Sequence, residues 1–320
     1  MVRVRILLVG CSGFVGRVLV PQLLDQGHQL TLVSRTAQPL AALQHPQLTC
    51  LQADPSQASS WLRADLQAAL AAAEAVVNLA GEPIAEQRWT SAHRQLLHDS
   101  RILTTRALVA ALEALPADQR PSVLVNGSAV GYYGTSDHAS FTEASPAGTD
   151  VLGALCQAWE AEAQRATTLC RVMVVRIGIV LAADGGALGK MLPVFRLGFG
   201  GPIGNGRQWM SWISRHDLCR LIATALDDPT YTGTYNAVAP EPCTMAAFAA
   251  SLGRCLARPS LLPVPAPMLQ LLLGDGARVV LEGQRVLPQR LQQQGFLFRD
   301  AELSAALAAA TSAGTSPALR

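Results

Sequence analysis

Short apolar runs alternate with segments of helical spacing through the first half of the chain. The first run, from Val4 to Val9, has no polar alternation, and Phe14, Val18, Leu19 and Leu23 follow it at helical spacing. Runs of this kind are typical of strands that are buried on both faces. Apolar positions three and four residues apart predict a helix with one buried face. The chain therefore begins with a strand and a helix.

Further apolar runs of the same kind predict six more strands. They cover residues 29–33, 48–51, 75–79, 122–126, 171–177 and 233–238. Predicted helices separate most of them, and the longest covers about residues 91–115. Strands that alternate with helices predict the α/β class with a doubly wound parallel sheet. In such a sheet ligands bind beyond the carboxyl ends of the strands.

Three glycines lie between the first predicted strand and helix, namely Gly10, Gly13 and Gly16. Gly10 permits a tight turn, Gly13 lets a pyrophosphate approach the backbone, and Gly16 lets the helix pack closely on the strand. The free amides at the helix N-terminus attract phosphates. This context predicts a dinucleotide site, whereas an ordinary strand-to-helix turn needs only one or two of these glycines. The other loop residues expected at the site are Ser12, Phe14 and Val15.

The second predicted strand ends in Ser34 and Arg35. A site selective for NAD(H) places Asp or Glu about 20 residues past the last glycine to bind the ribose 2′-hydroxyl. Arg35 instead offers a 2′-phosphate a positive charge and a planar fork of donors. We therefore expect NADP(H) as the cofactor. The alternative is that Arg35 is a solvated loop cation stacked on adenine.

Other candidate cofactor residues follow later predicted strands or lie on the long helix. Asp54 follows the third strand, Glu82 and Arg88 follow the fourth, and Arg101 lies on the helix. A surface salt bridge is an equally good interpretation for Arg88 and Arg101. The remaining candidates, at the end of the fourth strand, are Leu79, Ala80 and Gly81.

The composition changes after residue 184, where glycine becomes dense. We expect residues 1–184 to form an NADP-binding Rossmann domain, to which residues 212–240 return. Residues 185–310 are expected to form a smaller, partly interleaved substrate and C-terminal domain. The small, polar residues 311–320 are expected to be a loose tail.

Composition and charge exclude several classes of protein. The chain has 320 residues, of which 50% are hydrophobic and 15% charged, so a folded globular protein is expected. A net charge of +2 is too small to indicate nucleic-acid or membrane binding. The seven cysteines form no Cys-x-x-Cys pair, and the six histidines have no metal-ligand spacing, so no metal is expected. Without a signal peptide or membrane-length apolar run, we expect a cytoplasmic protein.

Several segments together resemble one branch of the extended short-chain dehydrogenase/reductase superfamily. They are Asn78–Glu82, Arg88–Trp89, Ser100–Arg101, Ser128–Gly134, Trp159–Glu160, Gly204–Ile213 and Arg258–Pro259. That atypical branch, the "epimerase family", pairs an NAD-dependent epimerase/dehydratase domain with a C-terminal domain of unknown function. Here the C-terminal domain would cover about residues 259–307. The resemblance covers nearly the whole chain and implies NADP(H) binding, while substrates in the branch are largely undefined.

The chain departs from the usual catalytic pattern of that superfamily. The pattern requires a Tyr, with a Lys four residues later that lowers the pKa of the phenol and binds the nicotinamide ribose. Lys190 is the single lysine, and no tyrosine precedes it at that spacing. The expected helix, residues 151–160, contains neither residue type. The standard dyad is therefore absent.

Ser128 and Tyr133 are the catalytic candidates, because Ser128 ends the fifth predicted strand and Tyr133 lies just beyond it. The alternatives are a turn-capping serine and a tyrosine that packs in the interior. A strand over residues 207–212 would project Arg207, Trp209 and Ser211 to one face, and a plain half-buried strand is the alternative. The candidate substrate residues are Tyr132, Lys190, Arg207 and Trp209.

Two functions are compatible with these features. The first is an NADP(H)-binding oxidoreductase or epimerase-like enzyme that acts on a small polar substrate, either a sugar nucleotide or a carbonyl compound. The second is a non-catalytic NADP(H)-binding regulator or redox sensor, which the missing dyad favours. A link to cell division is compatible with this second function, because some relatives carry cell-division labels. A small-molecule substrate is the expected partner, without nucleic acid or membrane, and a homodimer is left open.

Overall fold

The computed structural model describes residues 3–37, 40 and 43–312. Its thirteen described strands include several of only two or three residues. They are β1 (Arg5–Val9), β2 (Gln29–Ser34), β3 (Leu48–Gln52), β4 (Ala75–Asn78), β5 (Val123–Ala129), β6 (Ser140–Phe141), β7 (Arg171–Ile177), β8 (Ile179–Leu181), β9 (Trp209–Met210), β10 (Trp212–Ser214), β11 (Gly233–Ala237), β12 (Cys243–Thr244) and β13 (Arg285–Val286).

The α-helices connect these strands and cover both faces of the main sheet. They are α1 (Gly16–Asp25), α2 (Ala64–Ala72), α3 (Ser91–Ala114), α4 (Val151–Gln164), α5 (Gly186–Arg196), α6 (Arg215–Asp227), α7 (Met245–Cys255), α8 (Ala266–Leu273), α9 (Arg278–Leu281), α10 (Gln289–Gln293) and α11 (Leu303–Ser312). In the described part of the chain no helix is both long and apolar enough to cross a membrane.

The main sheet has seven strands in the order β11-β7-β5-β4-β1-β2-β3. Every neighbouring pair in it is parallel. All seven strands predicted from the apolar runs belong to this sheet. The predicted α/β class with a doubly wound parallel sheet is confirmed.

Alternate residues of the central strand β1 enter two different cores. Ile6 and Leu8 belong to a cluster that includes residues of α1 and α6. Leu7 and Val9 belong to a second cluster with residues of α2 and α3. Because successive side chains of a strand point to opposite faces, a wholly apolar strand requires helices on both sides.

Short strand pairs connect the sheet to the C-terminal half. Strand β8 pairs with β10, β9 with β12, and β6 with β13. A third core cluster, which includes Leu192, Trp212, Phe248 and Leu307, contains residues of the first two pairs. Strand β11 lies in the main sheet beside β7, but the division into two domains stays a prediction.

Two local expectations are wrong. Residues 207–212 do not form one strand, because Gly206 adopts a φ of +71° and the Arg207 amide donates to Asn205 Oδ1 at 2.9 Å. This turn leaves Arg207 outside β9. Thr311 and Ser312 end α11 rather than open a loose tail, since Thr311 Oγ1 donates to the Leu307 carbonyl at 2.8 Å. Residues 313–320 of that expected tail lie outside the described residues.

Candidate functional site

The glycine-rich loop joins β1 to α1 at the carboxyl edge of the sheet. Gly10 has a φ of +71°, and a Cβ there would overlap the backbone of Ala80. A Cβ on Gly16 would overlap the Cys11 backbone, which fixes how closely α1 approaches the loop. Around Gly13, by contrast, no heavy atom lies within 4 Å of an ideal Cβ. The loop therefore leaves bare backbone and open space where a pyrophosphate would bind, so it fits a dinucleotide.

Arg215, the first residue of α6, contacts Phe14 of this loop. Its Nη1 donates to the Phe14 carbonyl at 3.1 Å, and its Cζ lies 4.7 Å from the centre of the Phe14 ring. The same guanidinium pairs with Asp184 at 2.8 Å. The Phe14 ring also contacts Gly185, where a side chain would clash with it. The loop is therefore fixed by residues about 170–200 positions later in the chain.

Arg35 follows the end of β2 and places an exposed positive charge at the carboxyl edge of the sheet. Arg35 is exposed, and its Nη2 lies 4.0 Å from Oε2 of Glu82, which follows β4. Ser34 Oγ accepts a hydrogen bond from the Thr36 amide at 3.2 Å and so shapes the turn. The expected 2′-phosphate site thus has a positive group that is only loosely paired and open to solvent.

The other expected cofactor residues have different surroundings. Asp54 accepts hydrogen bonds from the amide and hydroxyl of Ser56 and caps a turn. Arg88 Nη1 donates to the Leu271 carbonyl at 3.4 Å, and its side chain packs on Gly274. None of the described contacts of Arg88 involves the glycine-rich loop. The assignments of these residues to the cofactor stay predictions.

A pocket of about 450 Å³ lies beyond the carboxyl ends of β5 and β7. Its apolar lining comes mainly from the two strand ends, α4 and the segment that follows β4. The apolar side chains are Ile84, Trp89, Ala129, Val130, Val151, Leu152, Leu155, Ile177, Ile179, Trp209 and Val279. Its ionisable groups, apart from Cys156, are Arg94, Arg101, Asp150, Asp275, Arg278 and Glu282.

The face of α4 that lines this pocket carries no acid or base of ordinary pKa. Four residues of α4 line the pocket, namely Val151, Leu152, Leu155 and Cys156. Burial raises the pKa of the Cys156 thiol to about 11, so the thiol is protonated at neutral pH. The helix on which the superfamily pattern requires Tyr and Lys therefore presents aliphatic side chains and a neutral thiol.

Ser128 and Tyr133 are brought together, but in a buried polar network rather than at the pocket surface. Ser128 Oγ donates to Glu160 at 2.6 Å, and Glu160 accepts two further bonds from Arg176, each 2.8 Å. Tyr133 Oη accepts from Arg176 at 2.8 Å and donates to Asn236 at 2.6 Å. Burial raises the pKa of Tyr133 to about 12. Both hydroxyls are thus engaged within the protein, and their catalytic role stays a prediction.

The four expected substrate residues separate in the structure, and Trp209 lines the pocket. Lys190 is exposed on α5, where its Nζ donates to the Ala85 carbonyl at 3.2 Å. Arg207 is exposed in its turn. Tyr132 lies under the guanidinium of Arg176, whose Cζ is 3.3 Å from the ring centre. Of the four, the pocket lining therefore supports Trp209.

Most of the pocket residues carry no signal in the sequence that marks them as functional. Trp89 and Cys156 lie in segments already noted for their resemblance or for the missing dyad, yet no local pattern marks them as lining residues. Asp275, Arg278 and Glu282 come from the C-terminal segment and meet Arg94 only through the fold, as the 2.5 Å contact between Arg94 and Asp275 shows.

Two family models match this chain. The model of the NAD dependent epimerase/dehydratase family matches residues 6–238. A domain of unknown function (DUF1731) matches residues 264–310. The first match spans the main sheet and the glycine-rich loop, and the second supplies the pocket residues between 275 and 284.

Named relatives extend over nearly the whole chain. Epimerase family protein SDR39U1 of Homo sapiens is 39% identical over 307 residues, which is 95% of this chain and 98% of that protein. Its Arabidopsis thaliana homologue, described as chloroplastic, is 42% identical over 296 residues, 91% of this chain and 82% of that protein.

Solved structures support the same relationship. A crystal structure of the human SDR39U1 protein with NADPH has a TM-score of 0.85 at 36% identity and covers 96% of this chain and 99% of that one. UDP-N-acetylglucosamine 4-epimerase from Bacillus cereus has a TM-score of 0.74 at 15% identity and shares the fold alone, over 98% of this chain and all of that one. The chain belongs to the NAD dependent epimerase/dehydratase family.

Proposed function

We propose that the chain is an NADP(H)-dependent oxidoreductase that acts on a carbonyl compound. The observation that carries this proposal is the contrast within the glycine-rich loop. Gly10 and Gly16 have no room for a side chain, while Gly13 faces open space that a side chain would fill. The human relative that was crystallised with NADPH supports the choice of nucleotide.

The chain's own residues have distinct parts in this proposal. The backbone of Gly13 and the N-terminus of α1 would hold the pyrophosphate, and Arg35 the 2′-phosphate. Arg215 would keep the loop in the binding conformation through the Phe14 carbonyl. When bound, the nicotinamide group supplies or accepts a hydride. The apolar pocket would exclude water from the reacting carbon.

The pocket lining favours a carbonyl compound over a sugar nucleotide. A sugar nucleotide carries many hydroxyl and phosphate oxygens, and each needs a polar partner when it leaves water. Most of the lining side chains here are apolar, and Arg94 and Arg278 are already paired with Asp275 and Glu282. A ligand with a mainly apolar body matches this lining better.

A second function, NADP(H) binding without turnover, is favoured by one specific observation. The pocket face of α4 carries no Tyr or Lys, and Ser128 and Tyr133 are both hydrogen-bonded inside the protein. A regulator or redox sensor would need only the cofactor site and a surface for a partner. We keep this function as the alternative that the first experiment must separate.

The experiment has a binding stage and a turnover stage. Tryptophan fluorescence would follow titrations with NADPH and NADH, and stopped-flow absorbance would follow NADPH oxidation with a panel of carbonyl compounds and nucleotide sugars. We expect NADPH to bind at least tenfold more tightly than NADH and to be oxidised by a carbonyl compound. NADPH binding without oxidation by any compound favours the regulator, and no affinity for either nucleotide contradicts both functions.

The variant Arg35→Glu tests the nucleotide preference. A carboxylate at this position would repel a 2′-phosphate and bind a 2′-hydroxyl, so NADH should become the preferred ligand. Arg3→Glu is the matched control, because it makes the same charge change before β1, at the opposite edge of the sheet. An unchanged ratio of the two affinities in Arg35→Glu contradicts the assignment of Arg35.

We also propose a compartment and a partner for the protein. All seven cysteines are free, which supports a reducing compartment such as the cytoplasm. One relative is described as chloroplastic. A small molecule is the proposed partner, and a homodimer stays open to test by the mass of the protein in solution.

A further inference from the structure

Arg101 differs from the other arginines that line the pocket. Arg94 pairs with Asp275 at 2.5 Å, and Arg278 pairs with Glu282 at 2.8 Å. Within residues 3–37, 40 and 43–312, no carboxylate oxygen lies within 4 Å of the Arg101 guanidinium. Arg101 is thus a pocket cation without a direct ion pair among the described residues, and the Glu82 carboxylate acts on it only from beyond 4 Å.

The guanidinium of Arg101 is held firmly in place by its surroundings. It donates to the carbonyls of Leu97 and Glu82 at 3.1 and 2.9 Å, and its Cζ lies 5.3 Å from the Trp159 ring. Gly81 contributes by having no side chain, since a Cβ there would lie 3.1 Å from the guanidinium. A guanidinium has five N–H donors, so these two carbonyls leave donors for a ligand.

Burying a cation such as Arg101 is unfavourable in free energy unless an anion pairs with it. Removing an ionised group from water is unfavourable unless a hydrogen-bonded counter-ion offsets the lost hydration. Burial lowers the pKa of Arg101, and the nearby Cys156 and Glu82 side chains offset that shift only in part. Because the pocket is the open side of this group, the counter-ion has to arrive with a ligand.

The rest of the pocket defines the remainder of that ligand. Besides Asp150 and the ion pairs Arg94–Asp275 and Arg278–Glu282, the pocket contains the side chains of Leu152, Leu155, Ile177 and Ile179 and the neutral thiol of Cys156. Aliphatic side chains and a thiol favour the burial of apolar ligand surface and form almost no hydrogen bonds with a ligand. A volume of about 450 Å³ lies within the usual range for sites that bind small molecules.

We propose that Arg101 binds the carboxylate, or an equivalent anionic oxygen group, of a substrate whose body is apolar. The proposal deepens and rests on the proposed function, because the hydride chemistry there would act on this same ligand. From its sequence position Arg101 is expected at the cofactor, whose phosphate groups also bind a guanidinium. The experiment therefore has to separate a substrate anion from a cofactor phosphate.

The test measures binding to the NADP-saturated protein, without requiring turnover. The probes are benzoate, 3-phenylpropanoate and 2-oxo-3-phenylpropanoate, each compared with its uncharged primary amide by calorimetry. We expect at least one carboxylate to bind tenfold or more tightly than its amide. Arg101→Gln should abolish this preference and change the Kd of NADPH by less than threefold. Arg106→Gln, which removes the same charge from the same helix at an arginine that pairs with Glu162 outside the pocket, should keep the preference.

Each outcome bears on one proposal. Carboxylates that bind no better than their amides overturn the inference, as does a preference that Arg106→Gln abolishes and Arg101→Gln does not. An Arg101→Gln protein that loses NADPH affinity but keeps the preference assigns Arg101 to the cofactor. If that variant does not fold, Arg101→Met, which also removes the charge, should abolish the preference in its place, and a preference that this variant keeps overturns the inference. Failure of the wild type to bind NADPH contradicts the proposed function instead.

Discussion

Ser128 on β5 donates its hydroxyl proton to the Glu160 carboxylate on α4, with 2.6 Å between the two oxygens. Both residues are buried, and Ser128 is directly opposite Arg176 in the pairing of β5 with β7. Arg176 in turn contacts Glu160 and the phenol of Tyr133. The network therefore ties a helix to two strands just below the pocket.

Glu160→Gln should destabilise the fold strongly. The Glu160–Arg176 pair is almost fully buried, with exposed side-chain fractions of 9% and 5%. Removing one partner leaves a buried charge without compensation, which costs about 3–5 kcal/mol. Urea unfolding followed by circular dichroism measures this difference in the free energy of unfolding.

Glu113→Gln is the matched control for that variant. Glu113 pairs with Arg165 at 3.0 Å, but the two side chains are 40% and 43% exposed. Exposed pairs contribute about 0–1 kcal/mol, so this variant should unfold close to the wild type. Equal effects of the two substitutions would mean that the buried pair is solvated in solution.

Tyr133→Phe should change how stability depends on alkaline pH. The folded protein holds the proton of Tyr133 up to a pKa of about 12, above the value of 10.0 for an unperturbed tyrosine. Between these values the folded state binds more protons than the unfolded state, so the free energy of unfolding falls as pH rises. This contribution is fully present below pH 10 and is lost by about pH 12.

The measurement compares urea unfolding of wild type and variant at pH 8, 10 and 11. We expect Tyr133→Phe to lose stability at pH 8, because Asn236 and Arg176 each lose a hydrogen-bond partner, by about 1–3 kcal/mol. The difference from wild type should shrink as pH approaches 11. Tyr132→Phe keeps the ring beneath Arg176 and serves as the control. A difference that stays constant with pH contradicts a buried, protonated Tyr133.

Gly13→Ala should separate cofactor binding from folding. The new methyl group meets no protein atom within 4 Å, so stability should be unchanged or about 0.4–1 kcal/mol higher. The same methyl group would occupy the space in which a pyrophosphate approaches the backbone. We expect the Kd of NADPH to rise at least tenfold in a fluorescence titration.

Gly16→Ala should give the opposite result. A Cβ there overlaps the Cys11 backbone, so α1 or the loop has to shift. We expect a lower thermal midpoint, with any loss of NADPH affinity following from the damaged fold. If Gly13→Ala lowered stability as much as Gly16→Ala does, the open space beside Gly13 would not exist in solution.

The strands and the glycine-rich loop were predictable because their signals are local. A buried strand such as β1 is a continuous apolar run, and the three glycines lie within seven residues. The polar network was not predictable in this way. Glu160 and Arg176 are sixteen positions apart and meet only because α4 packs on β7.

The pocket was the least predictable feature for the same reason. Its lining combines β5, α4 and the C-terminal segment, and the ion pair between Arg94 and Asp275 spans 181 positions. Arg207 shows the reverse error, since the alternation of its segment suggested a strand. The positive φ of Gly206 turns the chain there and places Arg207 in solvent.

Arg215→Met should weaken NADPH binding although Arg215 is not among the residues expected to bind the cofactor phosphates. The variant removes the 3.1 Å hydrogen bond to the Phe14 carbonyl and the ion pair with Asp184, so the glycine-rich loop becomes less ordered. Ordering the loop on binding then costs free energy, and we expect a three- to tenfold higher Kd for NADPH.

Asp184→Asn separates the two interactions that Arg215 makes. It weakens the ion pair but leaves the bond from Arg215 to Phe14 and the contact of the guanidinium with the Phe14 ring. If the loop contact governs affinity, Asp184→Asn should bind NADPH within about twofold of wild type, since exposed ion pairs contribute little. An Asp184→Asn protein as weak as Arg215→Met would instead mean that the charge of Asp184, which is 49% exposed, positions the loop. Fluorescence titration of both variants, with thermal midpoints as the check on folding, decides between these two outcomes.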